Sequence, residues 1–264
     1  MKPGKIALAL AAGAVVGGIM LAERKRPLRD QTKPAMPRNI RNAALGAGCA
    51  VIVAAVEEPL TQAIARKNAA HRRGIAQKLP QSLRDIAGII AMDYGFYWWH
   101  VATHRVPFLW RFHRVHHIDP DMDASTAVRF HPADMLVSLP WRLAQVRVSG
   151  AGPQGLRWWR SFFNFSILFH HSNMKLPGRL DDLLAAIITT PKMHGIHHSR
   201  VPDQANSNFT SGLSVWDRLH GTFRDDVSQG GITIGVDDAR QQDVELRRAL
   251  TAPFIDQPAT DMTG

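Results

Sequence analysis

Histidine is the residue type in this sequence whose number and spacing point most directly to chemistry. The chain of 264 residues contains 13 histidines, and all but His71 lie between His100 and His220. A neutral imidazole is a borderline ligand that suits iron, zinc, copper or nickel. The clustering therefore indicates a metal site in the middle of the chain.

Three short segments carry their histidines at helical spacing. The first has the pattern H-x3-H, and the other two have the offsets 0, 3 and 4. Residues three or four apart share one face of an α-helix, so each segment presents its histidines together. The eight residues are His100 and His104, then His113, His116 and His117, and later His194, His197 and His198. His131 and the pair His170–His171 add further candidates.

The size of this set predicts a dinuclear centre. One ion takes about four to six ligands, so eight to ten histidines are too many for one ion and suit two. Cys49 is the only cysteine, which excludes a disulfide framework, a cysteine-based zinc ribbon and an iron–sulfur cluster. The sequence also lacks the H-E-x-x-H motif of zincin proteases and the Glu-x-x-His motif of carboxylate-bridged di-iron bundles.

The elements around these motifs read as helices, some of them suited to a membrane. Residues 6–22 carry no charge and would reach roughly 25 Å as a helix. The basic residues at 24–26 favour an uncleaved anchor over a cleaved signal peptide. Two shorter apolar runs, 43–56 and 86–101, can be membrane-embedded or buried helices, so the number of spans stays open.

No segment shows sustained strand alternation with hairpin turns, and the predicted fold is therefore all-α. We divide the chain into an anchor and connector (1–40), a helical domain with the metal site (41–225) and a polar tail (226–264). The net charge of +10 fits basic residues that flank apolar segments and meet anionic lipid headgroups. No nucleic-acid-binding module accompanies this charge, so nucleic acid is not an expected partner.

At this point the sequence resembles a known family. The segment from Asp93 to Pro132, with HHSNMKLP and TPKMHGIHHSRVPDQANSNFTSGLSVWDRLHGTFR further on, looks like the core of the sterol desaturase/fatty acid hydroxylase superfamily. The resemblance covers roughly residues 43–225 and depends on three histidine motifs in the family's order and spacing. Departures at Val101, Ile118 and His220 remove no ligand.

The resemblance implies an integral membrane, non-haem di-iron enzyme whose site faces the cytoplasm. Such an enzyme uses O2, and electrons from a separate ferredoxin- or cytochrome-type donor, to hydroxylate or desaturate a lipid. The lipid class stays open among sterols, fatty acyl chains, ether lipids and carotenoids, and zinc can substitute for iron at imidazole sites. The implied ligands are His100, His104, His113, His116, His117, His131, His171, His194, His197 and His198.

Three polar residues are candidates to orient the ligands rather than to bind metal. Asp93, Asn173 and Asp217 could accept hydrogen bonds from ring N–H groups, which would fix the imidazole orientation. Asn208 is a weaker candidate of the same kind.

Two other classes of function compete with the enzyme. A non-catalytic metal-binding membrane protein of the same fold would be expected to lack a ligand, and none is missing. A haem-based electron carrier needs one histidine pair per haem, and the triplets exceed that need.

Overall fold

The computed structural model describes residues 3–236 and 245–255, and their regular secondary structure is helical. No strand occurs in these ranges, where three isolated β-bridges join loop residues. This confirms the all-α prediction. The α-helices are α1 (Pro3–Lys25), α2 (Ala35–Ile52), α3 (Glu58–His71), α4 (Arg84–Arg105), α5 (Pro107–His117), α6 (Pro132–Val137), α7 (Leu139–Ser149), α8 (Pro153–His171), α9 (Gly178–Ala185), α10 (Pro191–His197), α11 (Pro202–Ala205), α12 (Val215–His220) and α13 (Leu246–Thr251).

Helices α2 and α3 are continuous, joined by one π-helical turn at Val53–Glu57. The helix that contains the second apolar run therefore continues through Glu57 and Glu58 into α3. The stretch Ala35–Lys78 contains a window long and apolar enough to cross a membrane, with 17% of it buried inside the structure. It is the one such stretch in the described part of the chain, and length and composition are what identify it.

Helix α1 covers the predicted anchor, whose insertion in a membrane stays a prediction. The predicted tail is described in part: residues 237–244 and 256–264 lie outside the described residues. Within the described part, Ala249 and Ala252 pack with Leu45 of α2 and Trp110 of α5 in one hydrophobic cluster. The described part of the tail, at residues 246–252, thus packs against the helical body.

Prolines set the breaks that bring the histidine helices together. Pro107 disfavours helical geometry at the preceding residue, and Val106 is extended, so α4 ends and α5 starts in a new direction. Pro191 likewise opens α10, where the Thr190 hydroxyl accepts a hydrogen bond from the Met193 N–H (3.4 Å). Helix α4 packs on α5, α7 and α8, and α8 packs on α10.

A buried polar network ties α2 to the segment after α5. The Arg38 side chain is fully buried and forms ion pairs with Asp119 (3.0 Å) and Asp123. Asn42 donates to the same Asp119 carboxylate (3.1 Å) and accepts from Arg129 (2.8 Å). Asp119 and Asp123 share the Arg38 cation, and Arg129 donates to Asn42 and to the Val115 carbonyl, so these ion pairs and hydrogen bonds offset the cost of burial.

Replacing Arg38 by alanine is expected to destabilise the fold by about 3–5 kcal/mol, because Asp119 and Asp123 would stay buried without their cation. Equilibrium denaturation in detergent measures this loss. Arg66→Ala removes an exposed arginine from α3 and should change stability by less than about 0.5 kcal/mol. Equal effects of the two substitutions would contradict the role given to the network.

Candidate metal centre

The structure brings nine of the ten predicted ligand histidines into two buried groups. Each residue offers one ring nitrogen, and within a group these atoms all lie within 4.8 Å of one another. Both groups meet the number of ligands that one metal ion takes. The first group is His100, His104, His113, His117 and His197, and the second is His116, His171, His194 and His198.

Helices α5 and α10 each contribute to both groups. On α5, His113 and His117 are four residues apart and join the first group, whereas His116 points to the second. On α10 the assignment is reversed: His194 and the residue capping the helix, His198, join the second group, and His197 joins the first. The offsets 0, 3 and 4 therefore divide their histidines between two positions.

Four of the rings have their tautomer fixed by the backbone. In each, Nδ1 lies within hydrogen-bond distance of a carbonyl oxygen, which can only accept, so Nδ1 carries the proton and Nε2 keeps its lone pair. Metal-binding histidines use this arrangement to hold the ring and raise its basicity. The contacts are His100 to Phe209 O (2.6 Å), His116 to Arg129 O (3.2 Å), His171 to Ile167 O (2.6 Å) and His197 to Ser207 O (2.8 Å).

The remaining nitrogens converge in a way that a cation would stabilise. The Nε2 atoms of His116 and His171 lie 2.9 Å apart although both rings hold their proton on Nδ1. Two lone pairs at this distance repel each other unless a positive charge lies against both. In the first group, His104 has no hydrogen-bond partner for either ring nitrogen, and His197 has none for Nε2, among the described residues. The donor set thus fits bound metal.

Burial keeps these imidazoles neutral. Desolvation lowers the pKa of His100 to about 4 and that of His171 to about 3. For His104 and His194 the pKa falls well below its ordinary value, through desolvation first and through neighbouring imidazoles second. Neutral rings are the form that binds metal, so at neutral pH no proton has to be displaced.

His131 belongs to neither group. Its Nδ1 accepts a hydrogen bond from the Ala133 N–H at the start of α6 (3.0 Å), and its Nε2 donates to the Leu250 carbonyl (3.1 Å). The ring caps one helix and holds the C-terminal helix α13 against it. Both of its nitrogens are thereby occupied.

His170, a further candidate from the sequence that is not among the ten implied ligands, lies beside the second group. Its ring centroid is 4.1 Å from that of His194, and neither of its nitrogens has a hydrogen-bond partner among the described residues. Adjacent residues point to different faces of a helix, so the sequence pair did not show that both rings would be buried here.

Asp217 supports the first group through one intermediate. Its carboxylate accepts from the N–H groups of Phe209 (2.8 Å) and Thr210 (3.0 Å), and the Phe209 carbonyl accepts from His100. Thr222 also donates to it (2.7 Å). Asp217 therefore holds the backbone at Phe209 and Thr210, and the Phe209 carbonyl in turn orients the His100 ring.

The other two polar candidates contact no histidine by hydrogen bond in the described structure. Asp93 accepts from the Leu213 N–H (3.0 Å) and from the Trp216 indole (2.8 Å). Asn173 exchanges hydrogen bonds with the backbone of Arg29. Asn208, the weaker candidate, adopts a positive φ of 50° and bonds to backbone groups at 193 and 224. All three hold the surrounding segments in place.

A cavity of about 310 Å³ reaches both groups. Apolar side chains of the π turn, α4 and α8 form much of its wall, among them Val53, Phe96 and Phe163. It opens beside Ala50 and Asn164, which are exposed. Such a shape suits an elongated apolar molecule with one segment against the imidazoles. The histidines that line the cavity are His100, His113, His116, His171 and His194.

Acid is expected to destabilise the metal-free protein. Because folding lowers the pKa of His100 to about 4 and of His171 to about 3, the unfolded chain binds more protons below about pH 6.5. The stability from these rings is complete above that pH and is lost as the pH falls towards the folded values. Denaturation of chelator-treated protein should show a loss of at least about 2 kcal/mol between pH 7.5 and 5.5.

Single substitutions separate this effect from general acid sensitivity. His100→Asn should reduce the pH slope by about one proton, while Ser82→Ala, a substitution of an exposed residue that does not titrate, should leave it unchanged. A slope unaffected by His100→Asn would contradict the assignment.

The sequence of this chain is similar to those of several known proteins. The chain is 28% identical over 195 residues to ornithine lipid hydroxylase OlsE of Rhizobium tropici, which covers 74% of this chain and 56% of that protein. It is 30% identical over 135 residues to alkylglycerol monooxygenase of Xenopus tropicalis, covering 51% of this chain and 29% of that protein. The human alkylglycerol monooxygenase is 27% identical over 141 residues, covering 52% and 30%.

The chain therefore spans little more than half, or less, of the length of these curated relatives. No solved structure matches it significantly. The sequence model of the fatty acid hydroxylase family matches residues 86–222, just over half of the chain. That range contains the nine histidines of the two groups. The chain belongs to the fatty acid hydroxylase family, within the superfamily that its histidine motifs resemble.

Proposed function

We propose that this protein is a membrane-bound lipid hydroxylase that uses O2 and two iron ions. The observation that carries the proposal is the pair of buried histidine groups reached by one mostly apolar cavity. Membership of the fatty acid hydroxylase family supports it, as do the names of the relatives, a lipid hydroxylase and monooxygenases. Hydroxylation rather than desaturation is the reaction these names favour.

Nine histidines form the proposed ligand set. Five would hold one ion and four the other, and His131 is left out because both its nitrogens are occupied. Bound iron would supply the redox chemistry with O2 that no side chain of the protein can supply. Zinc fits the same donors but lacks that redox chemistry.

The protein's own residues supply geometry and shielding. Backbone carbonyls hold the ligand rings so that each Nε2 faces the centre of its group. Asp217 keeps the Phe209 carbonyl in place behind His100. Trp99 and Phe163 line the cavity that holds the substrate chain against the histidines and excludes water from it.

The proposed site would work at the surface of a membrane. The apolar helix within Ala35–Lys78 would attach the protein to the membrane, together with α1 in the N-terminal unit 1–40. The catalytic unit 41–225 would face the cytoplasm, followed by the tail 226–264. Electrons would come from a separate ferredoxin- or cytochrome-type protein. The substrate would be a lipid that enters from the bilayer.

Protein purified from iron-supplemented cells should contain about two iron ions per chain by elemental mass spectrometry. His104→Ala and His194→Ala each remove a ligand from a different group and should lower iron content. Both should reduce lipid-dependent O2 consumption with a chemically reduced ferredoxin at least a hundredfold.

His131→Gln is the matched control, since this buried histidine lies outside both groups. It should keep two irons per chain and most of the activity. Two bound irons without O2 consumption in the presence of total membrane lipid would favour the non-catalytic alternative. Near-zero metal in folded protein would refute the metal assignment.

Asp217→Asn tests the support of the first group. It weakens the hold on the N–H groups of Phe209 and Thr210, and it should lower the affinity for one of the two ions about 10- to 100-fold. Competition with a chelator measures this affinity. Asp203→Asn, an exposed carboxylate paired with Arg224, should leave both affinities unchanged. Equal loss at both ions would contradict a local role.

A further inference from the structure

One wall of the cavity carries charged groups that the proposed chemistry does not use. Asp134 of α6, Ser138 at the junction and Arg142 of α7 follow one another at intervals of four residues. Backbone hydrogen bonds from Ser138 N to Asp134 O (2.8 Å) and from Arg142 N to Ser138 O (3.0 Å) keep helical spacing through the junction, so the three lie on one face. Asp134 and Arg142 both line the cavity that reaches the histidines. Glu57 and Arg160 line the same cavity, whose remaining wall apart from the histidines is mostly apolar.

One carboxylate oxygen of Asp134 accepts no hydrogen bond from the described residues. The residue is 3% exposed, and its Oδ1 atom has no hydrogen-bond partner among the described residues. Burial raises its pKa to about 6, and the charge of Arg142 opposes this shift. A buried carboxylate with an unsatisfied oxygen is costly, and a ligand that donates a hydrogen bond would offset that cost.

The guanidinium of Arg142 uses only part of its hydrogen-bonding capacity within the described residues. Its Nε donates to the Ser138 hydroxyl (3.1 Å) and lies 3.4 Å from the Glu57 carboxylate. Within the described residues, its two terminal nitrogens make no hydrogen bond. Arg160, on the opposite side of Glu57, is by contrast bound to Thr61 (2.6 Å) as well as to Glu57 (3.5 Å). Arg142 is thus the cation of the cavity wall that remains able to bind an anion.

The distance along α8 between Arg160, which shares Glu57 with Arg142, and His171 suits a lipid chain. Arg160, Asn164, Ile167 and His171 line the cavity along one face of α8. At 1.5 Å per residue, Arg160 and His171 are about 16 Å apart along the helix axis. A headgroup held near Arg142 would therefore leave an extended chain running towards the imidazoles.

We propose that Arg142 and Asp134 bind the polar headgroup of the lipid substrate. The terminal nitrogens of Arg142 would hold an anionic group, a phosphate or a carboxylate, in a bidentate contact. Asp134 would accept a hydrogen bond from an ammonium or hydroxyl group of the same headgroup. The substrate class is then a polar lipid with a charged headgroup, not a carotenoid or a sterol. This inference rests on the proposed function, because it takes the cavity to be the substrate site.

Lipid binding to the iron-loaded protein in detergent tests the proposal, with native mass spectrometry as the readout. Three probes with the same acyl chains are used: dioleoylphosphatidylethanolamine, dioleoylphosphatidic acid and dioleoylglycerol. A fourth, oleate, distinguishes a carboxylate from a phosphate. At least one anionic probe should bind at least tenfold more tightly than dioleoylglycerol, which corresponds to about 1.4 kcal/mol.

The variants assign this preference to the two residues. Arg142→Gln should abolish the preference for anionic probes and leave dioleoylglycerol binding unchanged. Asp134→Asn should weaken dioleoylphosphatidylethanolamine, which carries an ammonium, and leave dioleoylphosphatidic acid unchanged. Arg157→Gln is the matched control, because it removes the same charge from an exposed position of α8.

Equal losses in Arg142→Gln and Arg157→Gln would overturn the proposal, as would equal binding of charged and uncharged probes. If Arg142→Gln loses its fold, the near-isosteric Asp134→Asn still decides the outcome. Iron content and O2 consumption are measured on the same preparations. A headgroup preference in protein without iron or activity would refute the proposed function and leave the headgroup site standing.

Discussion

The structure depends on one electrostatic constraint: nine neutral imidazoles are buried together with their free nitrogens directed at one another. Without a cation, adjacent lone pairs such as those of His116 and His171 repel, and unpartnered nitrogens such as those of His104 lose their hydrogen bonds to water. The fold opposes this cost with backbone carbonyls behind the rings and with packed helices around them. Bound metal would turn the same arrangement from a cost into a source of stability.

The histidine spacing was sufficient to predict the helices and the faces that carry the ligands. It was not sufficient to divide the ligands between two positions, because that depends on how α5 and α10 dock against α4 and α8. The distinction between His131 and His170 was hidden for a similar reason. The sequence does not show that His131 donates a hydrogen bond to the Leu250 carbonyl. It also does not show that His170 is buried beside His194.

The membrane segment shows a second limit of sequence reasoning. In the sequence, Glu57 and Glu58 mark the end of the second apolar run at residue 56, yet the helix continues through them. Glu57 is buried and meets Arg142 and Arg160, which lie more than eighty residues away in sequence. A π turn ends at this residue, and such turns occur frequently at functional sites. The compensating charges become visible only when distant helices are seen side by side.

Helices α5 and α10 carry histidines of both groups, and with metal bound this sharing would link the two positions thermodynamically. An ion bound in one group would immobilise both helices and so lower the ordering cost of binding the other ion. Linkage requires the effect to be reciprocal: each ion raises the affinity for the other by the same factor. The two ions would then bind cooperatively, and singly loaded protein would be a minor species during assembly.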